Sequence, residues 1–307
     1  MRQPYALVTG ANSPVGQHVA ALLNERGYIT VATDVQSGYD GWTLLRGDTP
    51  FTYDKSDLRT EAGVRHFLYR RPFTHVFHVS GEAAAGTLLL QWMDRSGSVP
   101  PKFVHWSSGQ VYAPADIPPS EDAVMQPERL AQAFRMDAER RLMAEERARG
   151  ISLIALRPAM TYGPGITSGL ARLIRAASRG GLGSTYRGSA EVRTGMLHVE
   201  DSCRAALFLA EHASTEGPYN VVDDSAYEAS QLLAHAAARA GFPFTRVKPN
   251  TLRLWDRYFD DETHTLLRQD TRIDASRLKR LGWSPKHPDT LAGLRQTIDW
   301  LEQGGNL

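Results

Sequence analysis

Short apolar runs alternate with helical stripes along the first half of the chain. Ala6, Leu7 and Val8 form the kind of run a buried parallel strand shows. Thr9 to Ser13 is turn chemistry. From Pro14 the pattern becomes helical, with Val15, Val19, Leu22 and Leu23 on one face and Gly27 as the stop. Further strand-like runs cover 28–33, 51–53, 75–80, 102–108 and 151–156. Helical stretches between them carry Val64, Phe67 and Leu68, then Leu88, Leu89 and Trp92. One long helix is predicted from Pro127 to Arg149, with Leu130, Phe134 and Leu142 inward and Gly150 closing it. Strands and helices in this rhythm predict an α/β fold, a doubly wound parallel sheet with right-handed crossovers.

After Pro158 the rhythm loosens. Tyr162 to Gly165 is a turn, and Gly180, Gly181, Gly183 and Gly188 mark a loop-rich stretch. Met196 to Val199 reads as a strand feeding a helix capped near Asp201, and 219–222 as one more strand. Helices are expected over Ala229–Arg239 and Leu291–Glu302. The expected division is a dinucleotide-binding domain over 1–162, to which 190–222 returns. A smaller, discontinuous C-terminal substrate cap takes 163–189 and 223–307.

The opening strand, turn and helix make an anion site, where backbone N–H groups and the helix dipole face a pyrophosphate. Gly10, Asn12, Ser13, Pro14, Val15 and Gly16 are its candidate residues. Ser13 stands where the middle glycine of a G-x-x-G-x-x-G turn would be; it suits the N-cap and Pro14 the first helical position. Pro14 brings no N–H, so the cradle is one donor poorer. Asp34 ends the next strand, 24 residues after Gly10, near the spacing at which an acid meets the adenosine ribose. It would repel a 2′-phosphate, so NAD is the expected cofactor, with NADP the alternative.

Composition narrows the partners. The 307 residues carry a formal net charge of +1, with no electrostatic footprint for nucleic acid. Cys203 is the single cysteine, so no disulfide framework exists within the chain and a cytoplasmic setting is expected. No run approaches a membrane span, no signal-peptide pattern opens the sequence, and no group has metal-ligand spacing, so neither membrane nor metal is expected. His78, His105 and His198 read as core histidines. A small-molecule substrate and a homodimer are the expected partners.

The later motifs resemble the extended short-chain dehydrogenase/reductases, the NAD-dependent epimerase/dehydratase family with its Rossmann fold. Thr9-Gly10-Ala11 is similar to the family's cofactor turn, Asp57-Leu58 to its adenine-contacting pair, and His78 to Gly81 to its H-x-A-A/G strand end. Ser107 to Tyr112 resembles S-S-x-x-V-Y, and Arg157 to Gly165 resembles R-P-x-x-x-Y-G-P-G. His198 to Asp201, Tyr219-Asn220 and Leu281 to Pro285 match its later landmarks. The resemblance implies Ser108 as the catalytic hydroxyl. It implies cofactor contacts from Asp57, Leu58, Val79, Ser80, Gly81 and Pro158, and substrate contacts from Glu82, Met160, Tyr162 and Arg193.

One departure matters for mechanism. The family's acid–base pair is Tyr-x-x-x-Lys, followed four residues later by Glu. Reading back from Glu139 puts Arg135 at the Lys place, expected on the cofactor, and Ala131 at the Tyr place, expected to face substrate. No tyrosine lies between Tyr112 and Tyr162. The expected function is therefore an atypical nicotinamide-dependent oxidoreductase, reducing a ketone or oxidising a secondary alcohol on a bulky or self-protonating substrate such as a polyketide. The alternatives are a redox-silent NAD-binding protein and a sugar-nucleotide epimerase or dehydratase.

Overall fold

The computed structural model describes residues 3–36, 52–68, 72–95, 102–179, 185–186, 192–212, 214–246 and 260–304. Phe51 lies outside them, although the rest of the strand expected at 51–53 is described, and most of the glycine-rich stretch from Gly180 to Gly188 lies outside them too. In chain order the elements are β1 Tyr5–Thr9, α1 Pro14–Glu25, β2 Ile29–Thr33, β3 Thr52–Tyr53, α2 Glu61–Leu68, β4 His75–His78, α3 Ala83–Arg95, β5 Lys102–Trp106, α4 Leu130–Arg149, β6 Leu153–Pro158, β7 Met160–Tyr162 and α5 Gly169–Ser178. They continue with β8 Thr185–Tyr186, β9 Arg193–His198, α6 Val199–Glu211, β10 Gly217–Val221, β11 Ala226–Glu228, α7 Ala229–Ala240, β12 Thr245–Arg246, α8 Asp261–Arg268, α9 Ser276–Lys279 and α10 Thr290–Gln303.

The main sheet has seven strands in the order β10-β6-β5-β4-β1-β2-β3. Its ladders β2–β3, β1–β2, β1–β4, β4–β5 and β5–β6 are parallel, as the alternation of strand and helix predicts. The order turns at β1, so the carboxyl ends of β1, β2, β4 and β5 share one edge, where such folds place ligands. Phe67, Phe103, Leu89, Leu90, Leu142 and Leu153 form a core cluster with the apolar face of the sheet.

The chain divides into two compact units. One is 1–111, 132–157 and 203–219; the other is 112–131, 158–202 and 220–307. Residues 112–131 and 158–162 therefore fall with the second unit, a division the apolar pattern does not show. The second unit holds a three-stranded sheet, β11-β9-β7, and a core of Tyr162, Ile174, Leu232, Leu266, Leu294 and Ile298.

The register of α4 differs from expectation. Leu130 and Phe134 are 71% and 66% exposed, while Gln132, Ala138, Glu139 and Leu142 are buried. The cause is polar pairing. Glu139 receives Arg157 from β6, with Nε 3.1 Å from each carboxylate oxygen, and Gln132 Nε2 donates to Gln110 Oε1 at 2.9 Å. A paired polar group is tolerated inside, so the polar face turns inward and the apolar residues out. The helix also starts at Leu130 rather than Pro127.

The second unit carries a pH-sensitive carboxyl. Burial pushes Asp223 up to about 7, although its oxygens accept from Ser225 N–H (3.0 Å) and the Thr290 hydroxyl (2.6 Å). Folded Asp223 keeps its proton between about pH 4 and 7, where the unfolded chain has released it. Stability from this group is greatest at acid pH and falls as pH rises through that window. The thermal midpoint should therefore be higher at pH 5 than at pH 7.5 by a margin that Asp223→Asn removes. An Asn variant with an unaltered pH profile would contradict this assignment.

Candidate cofactor and active site

The turn after β1 closes on itself around two glycines. Gly10 has φ +65°, and a Cβ there would stand 2.6 Å from the Ser80 backbone nitrogen. A Cβ on Gly16 would meet the Gly10 carbonyl oxygen at 2.3 Å. Neither position admits a side chain. Ser13 is the N-cap of α1: its Oγ accepts the Gly16 N–H at 3.1 Å and donates to the Gly10 carbonyl at 2.7 Å. Ala11 N–H goes to Thr33 O, Asn12 N–H to Asp34 Oδ2, Ser13 N–H to Gly10 O and Gln17 N–H to Ser13 O. With Pro14 lacking a donor, the Val15 N–H at the mouth of α1 has no hydrogen-bond partner among the described residues. The serine in the middle glycine place thus caps the helix and leaves a sparse anion cradle.

Asp34 is held by two backbone donors, Asn12 N–H on Oδ2 (3.1 Å) and Val35 N–H on Oδ1 (2.7 Å). Each oxygen can accept further bonds, and Asp34 lines a cleft together with Gly10, Asp57, Leu58, Arg59, Ser80 and Glu82. The cleft fits an adenosine: a fixed carboxylate for the ribose, a leucine wall, and a glycine turn that a Cβ would fill. Arg59 grips Asp57 bidentately at 2.8 and 2.9 Å, which holds the Asp57 carboxyl below its ordinary range. Arg59 Nε also lies 3.8 Å from Glu82 Oε2. Glu82, expected on the substrate, lines this cleft beside Arg59. Sequence reading missed Arg59, although its place two residues after Asp57 was a signal.

The carboxyl end of β4 is tied to β1 by His78. Its Nε2–H donates to the Glu82 carbonyl at 3.0 Å, and Nδ1 accepts from the Thr9 hydroxyl at 2.9 Å. Burial lowers this imidazole to about 4, so it stays neutral and structural. His105 stacks on it at 5.4 Å and is likewise buried and depressed, first by desolvation. Both are core histidines, as the strand pattern predicts. Val79 is half-buried, Ser80 exposed, and Gly81 has φ +70°.

Ser108 is half-buried just past β5, and its Oγ accepts the Gln110 N–H at 3.1 Å. That bond uses a lone pair and leaves the hydroxyl hydrogen to donate outward. Arg135, on the exposed face of α4, brings a guanidinium nitrogen to 3.6 Å from where a Gly81 Cβ would be. Among the described residues it makes no ion pair or hydrogen bond. Ala131 is exposed one turn earlier.

Three residues expected at the site sit in the interior instead. Pro158 is buried at the end of β6. Met160 and Tyr162 belong to the second unit's core; Tyr162 is fully enclosed, and a Cβ on Gly293 would meet its hydroxyl at 2.3 Å. Burial also pushes the Tyr162 pKa up, so the hydroxyl keeps its proton and the residue packs rather than titrates. Arg193 is exposed at the start of β9, opposite Glu228 of β11.

In the second unit His198, Glu200 and His287 bring ligand-type atoms within 4.8 Å of one another, a grouping that sequence spacing hides. Lys286 Nζ occupies Glu200 at 2.6 Å and His287 Nε2 lies on its other oxygen at 3.0 Å, which lowers Glu200 to about 2. Asp201 accepts the backbone N–H groups of Lys286 and His287 at 2.7 and 2.8 Å. This is an ion cluster already carrying its own cation, and it fastens the 286–287 loop to the start of α6. No described helix is long and apolar enough to cross a membrane.

Residues 82–222 match the model of the NAD dependent epimerase/dehydratase family. The chain is 24% identical over 333 residues to a trifunctional UDP-glucose 4,6-dehydratase/UDP-4-keto-6-deoxy-D-glucose 3,5-epimerase/UDP-4-keto-L-rhamnose-reductase of Arabidopsis thaliana, covering 97% of this chain and 47% of that protein. It is 29% identical over 182 residues to UDP-glucuronate 4-epimerase 3 of the same plant, covering 52% of this chain and 42% of the relative. The chain thus spans about half the length of the curated relatives it matches. Among solved structures, UDP-glucose 4-epimerase of Thermotoga maritima with UDP-glucose superposes at a TM-score of 0.79, with 20% identity over 98% of this chain and 99% of that one. A dTDP-glucose 4,6-dehydratase of Bacillus anthracis in complex with NAD gives 0.79 at 16% identity, over 98% and 97%. These neighbours share the fold. The matched segment is similar to the NAD-dependent epimerase/dehydratase family, and the strand–turn–helix and cleft of the first unit are of the kind the extended short-chain dehydrogenase/reductases carry.

Proposed function

We propose that the chain is an NAD-dependent enzyme of the epimerase or dehydratase kind, acting on a carbinol carbon of a nucleotide-linked sugar. NAD, when bound, supplies the hydride acceptor and donor. The observation that carries the reading is the Ser108 hydroxyl, whose hydrogen is free at the strand edge that also presents Asp34, Ser80 and Gly81. A donor fixed there stabilises negative charge on a reacting oxygen. Asp34 holds the adenosine ribose, Asp57 and Leu58 flank the adenine, and the turn from Gly10 to Gly16 takes the diphosphate. Val79, Ser80, Gly81 and Arg135 serve the nicotinamide end. Curated relatives and solved neighbours named for UDP-sugars support the substrate class. This reading takes the place of the ketone oxidoreductase as the leading one.

Proton transfer sets this chain apart. At position 131 a methyl group stands where the family places a phenol, and at 135 a guanidinium stands where it places a lysine. Neither side chain moves a proton, so water or a substrate hydroxyl does. That observation favours a second reading, hydride exchange with a ketone or alcohol that carries its own acidic group. Incubating the protein and NAD(H) with UDP-glucose, UDP-glucuronate and dTDP-glucose, then with polycyclic hydroxy-ketones, separates the two. Conversion of a nucleotide sugar to its epimer or keto product is expected. Consumption of NADH by the ketones alone supports the second reading, and inertness toward every substrate means a redox-silent NAD-binding protein.

A further inference from the structure

The adenosine cleft holds three carboxylates and, among the described residues lining it, one cation. Asp34, Asp57 and Glu82 face it from three different segments, and Arg59 lies between the last two. We propose that Glu82, acting on Arg59 together with Asp57, is a specificity-determining residue that keeps the cleft selective for NAD over NADP. The inference rests on NAD binding as read above.

Among the described residues lining this cleft, Arg59 is the side chain able to receive a 2′-phosphate, because a guanidinium matches phosphate with a fork of donors. One edge of its fork is already engaged. Nε and a terminal nitrogen sit on the two oxygens of Asp57 at 2.8 and 2.9 Å, and the Arg59 backbone N–H donates to Asp57 Oδ1 at 3.0 Å. Glu82 closes on Nε from the opposite wall at 3.8 Å. The three side chains are 40–52% exposed, so their attraction is screened, but their stoichiometry is not: two carboxylates neutralise one cation. Asp34 adds a third negative charge to the cleft. A 2′-phosphate brings up to two more, into a cleft whose described cation already has one edge on Asp57 and a second carboxylate, Glu82, beside it. NAD brings none there, and its ribose hydroxyls need Asp34 alone.

Asp57 also forms the adenine wall, so the test works through Glu82. Calorimetric affinities for NAD and NADP are measured at constant ionic strength for the full chain and for Asp34→Ser, Asp34→Ser with Glu82→Gln, and that double variant with Arg59→Ala added. Glu82→Gln in the Asp34→Ser background should tighten NADP by about 3- to 10-fold and shift NAD by less than about twofold. Adding Arg59→Ala should erase the NADP gain. A gain that survives loss of Arg59 overturns the proposal, since Glu82 would then act by bulk charge alone. So does the absence of any gain while NAD still binds. Failure of the unaltered protein to bind NAD overturns this inference and the NAD reading together.

Discussion

Glu139→Ala is expected to lower folding stability by about 3 to 5 kcal/mol. Glu139 and Arg157 are 2% and 4% exposed, and the guanidinium lies across both carboxylate oxygens. Removing the carboxylate strands a permanent cation between α4 and β6, and no water reaches it to restore its solvation. Arg157→Ala strands the opposite charge. Glu139→Gln keeps the volume and one acceptor and should cost less than the alanine variant. Urea titration reads the difference as a shift in midpoint at constant slope. A loss below about 1 kcal/mol, the range of surface pairs, would mean that the pair is hydrated and does not fix the helix. The stakes reach the active site, because this pair sets the register that leaves Ala131 and Arg135 on the open face of α4.

The register of α4 also marks the limit of what the sequence reveals. Periodicity reads apolar residues as inward, and Leu130, Phe134 and Leu142 repeat at helical spacing; two of the three are exposed. What turned the helix was a charge on another strand, Arg157, and an amide at Gln110, neither visible in a local pattern. The same reason hid Arg59 bridging Asp57 to Glu82, and the meeting of His198 and Glu200 with His287. Tyr162 and Met160 carry the residue types of a substrate site, yet fill a core whose other members come from distant helices. Local chemistry was legible throughout. The strand–turn–helix at Gly10, the N-cap at Ser13, the acid at the end of β2 and the parallel alternation each depend on a few neighbouring residues, and each stands in the structure. Position 131 was equally plain, because a missing phenol needs no fold to be seen.

Ser108→Ala tests the account's central claim, that a fixed hydroxyl at the end of β5 serves the reacting oxygen beside a bound NAD. The hydroxyl spends a lone pair on Gln110 N–H and keeps its hydrogen for substrate. Losing one such donor costs roughly 100- to 1,000-fold in turnover. Without a phenol at position 131 the chain holds no second side-chain donor of the family's kind, so the loss should lie toward the upper end. The residue makes no contact with the cleft of Asp34 and Leu58, so NAD affinity should stay unchanged. Steady-state turnover of the nucleotide sugar and calorimetric NAD binding, read on the same preparation, give both halves. The account predicts turnover reduced at least about 100-fold with NAD affinity within about twofold of the unaltered protein. Full turnover in the variant would contradict it.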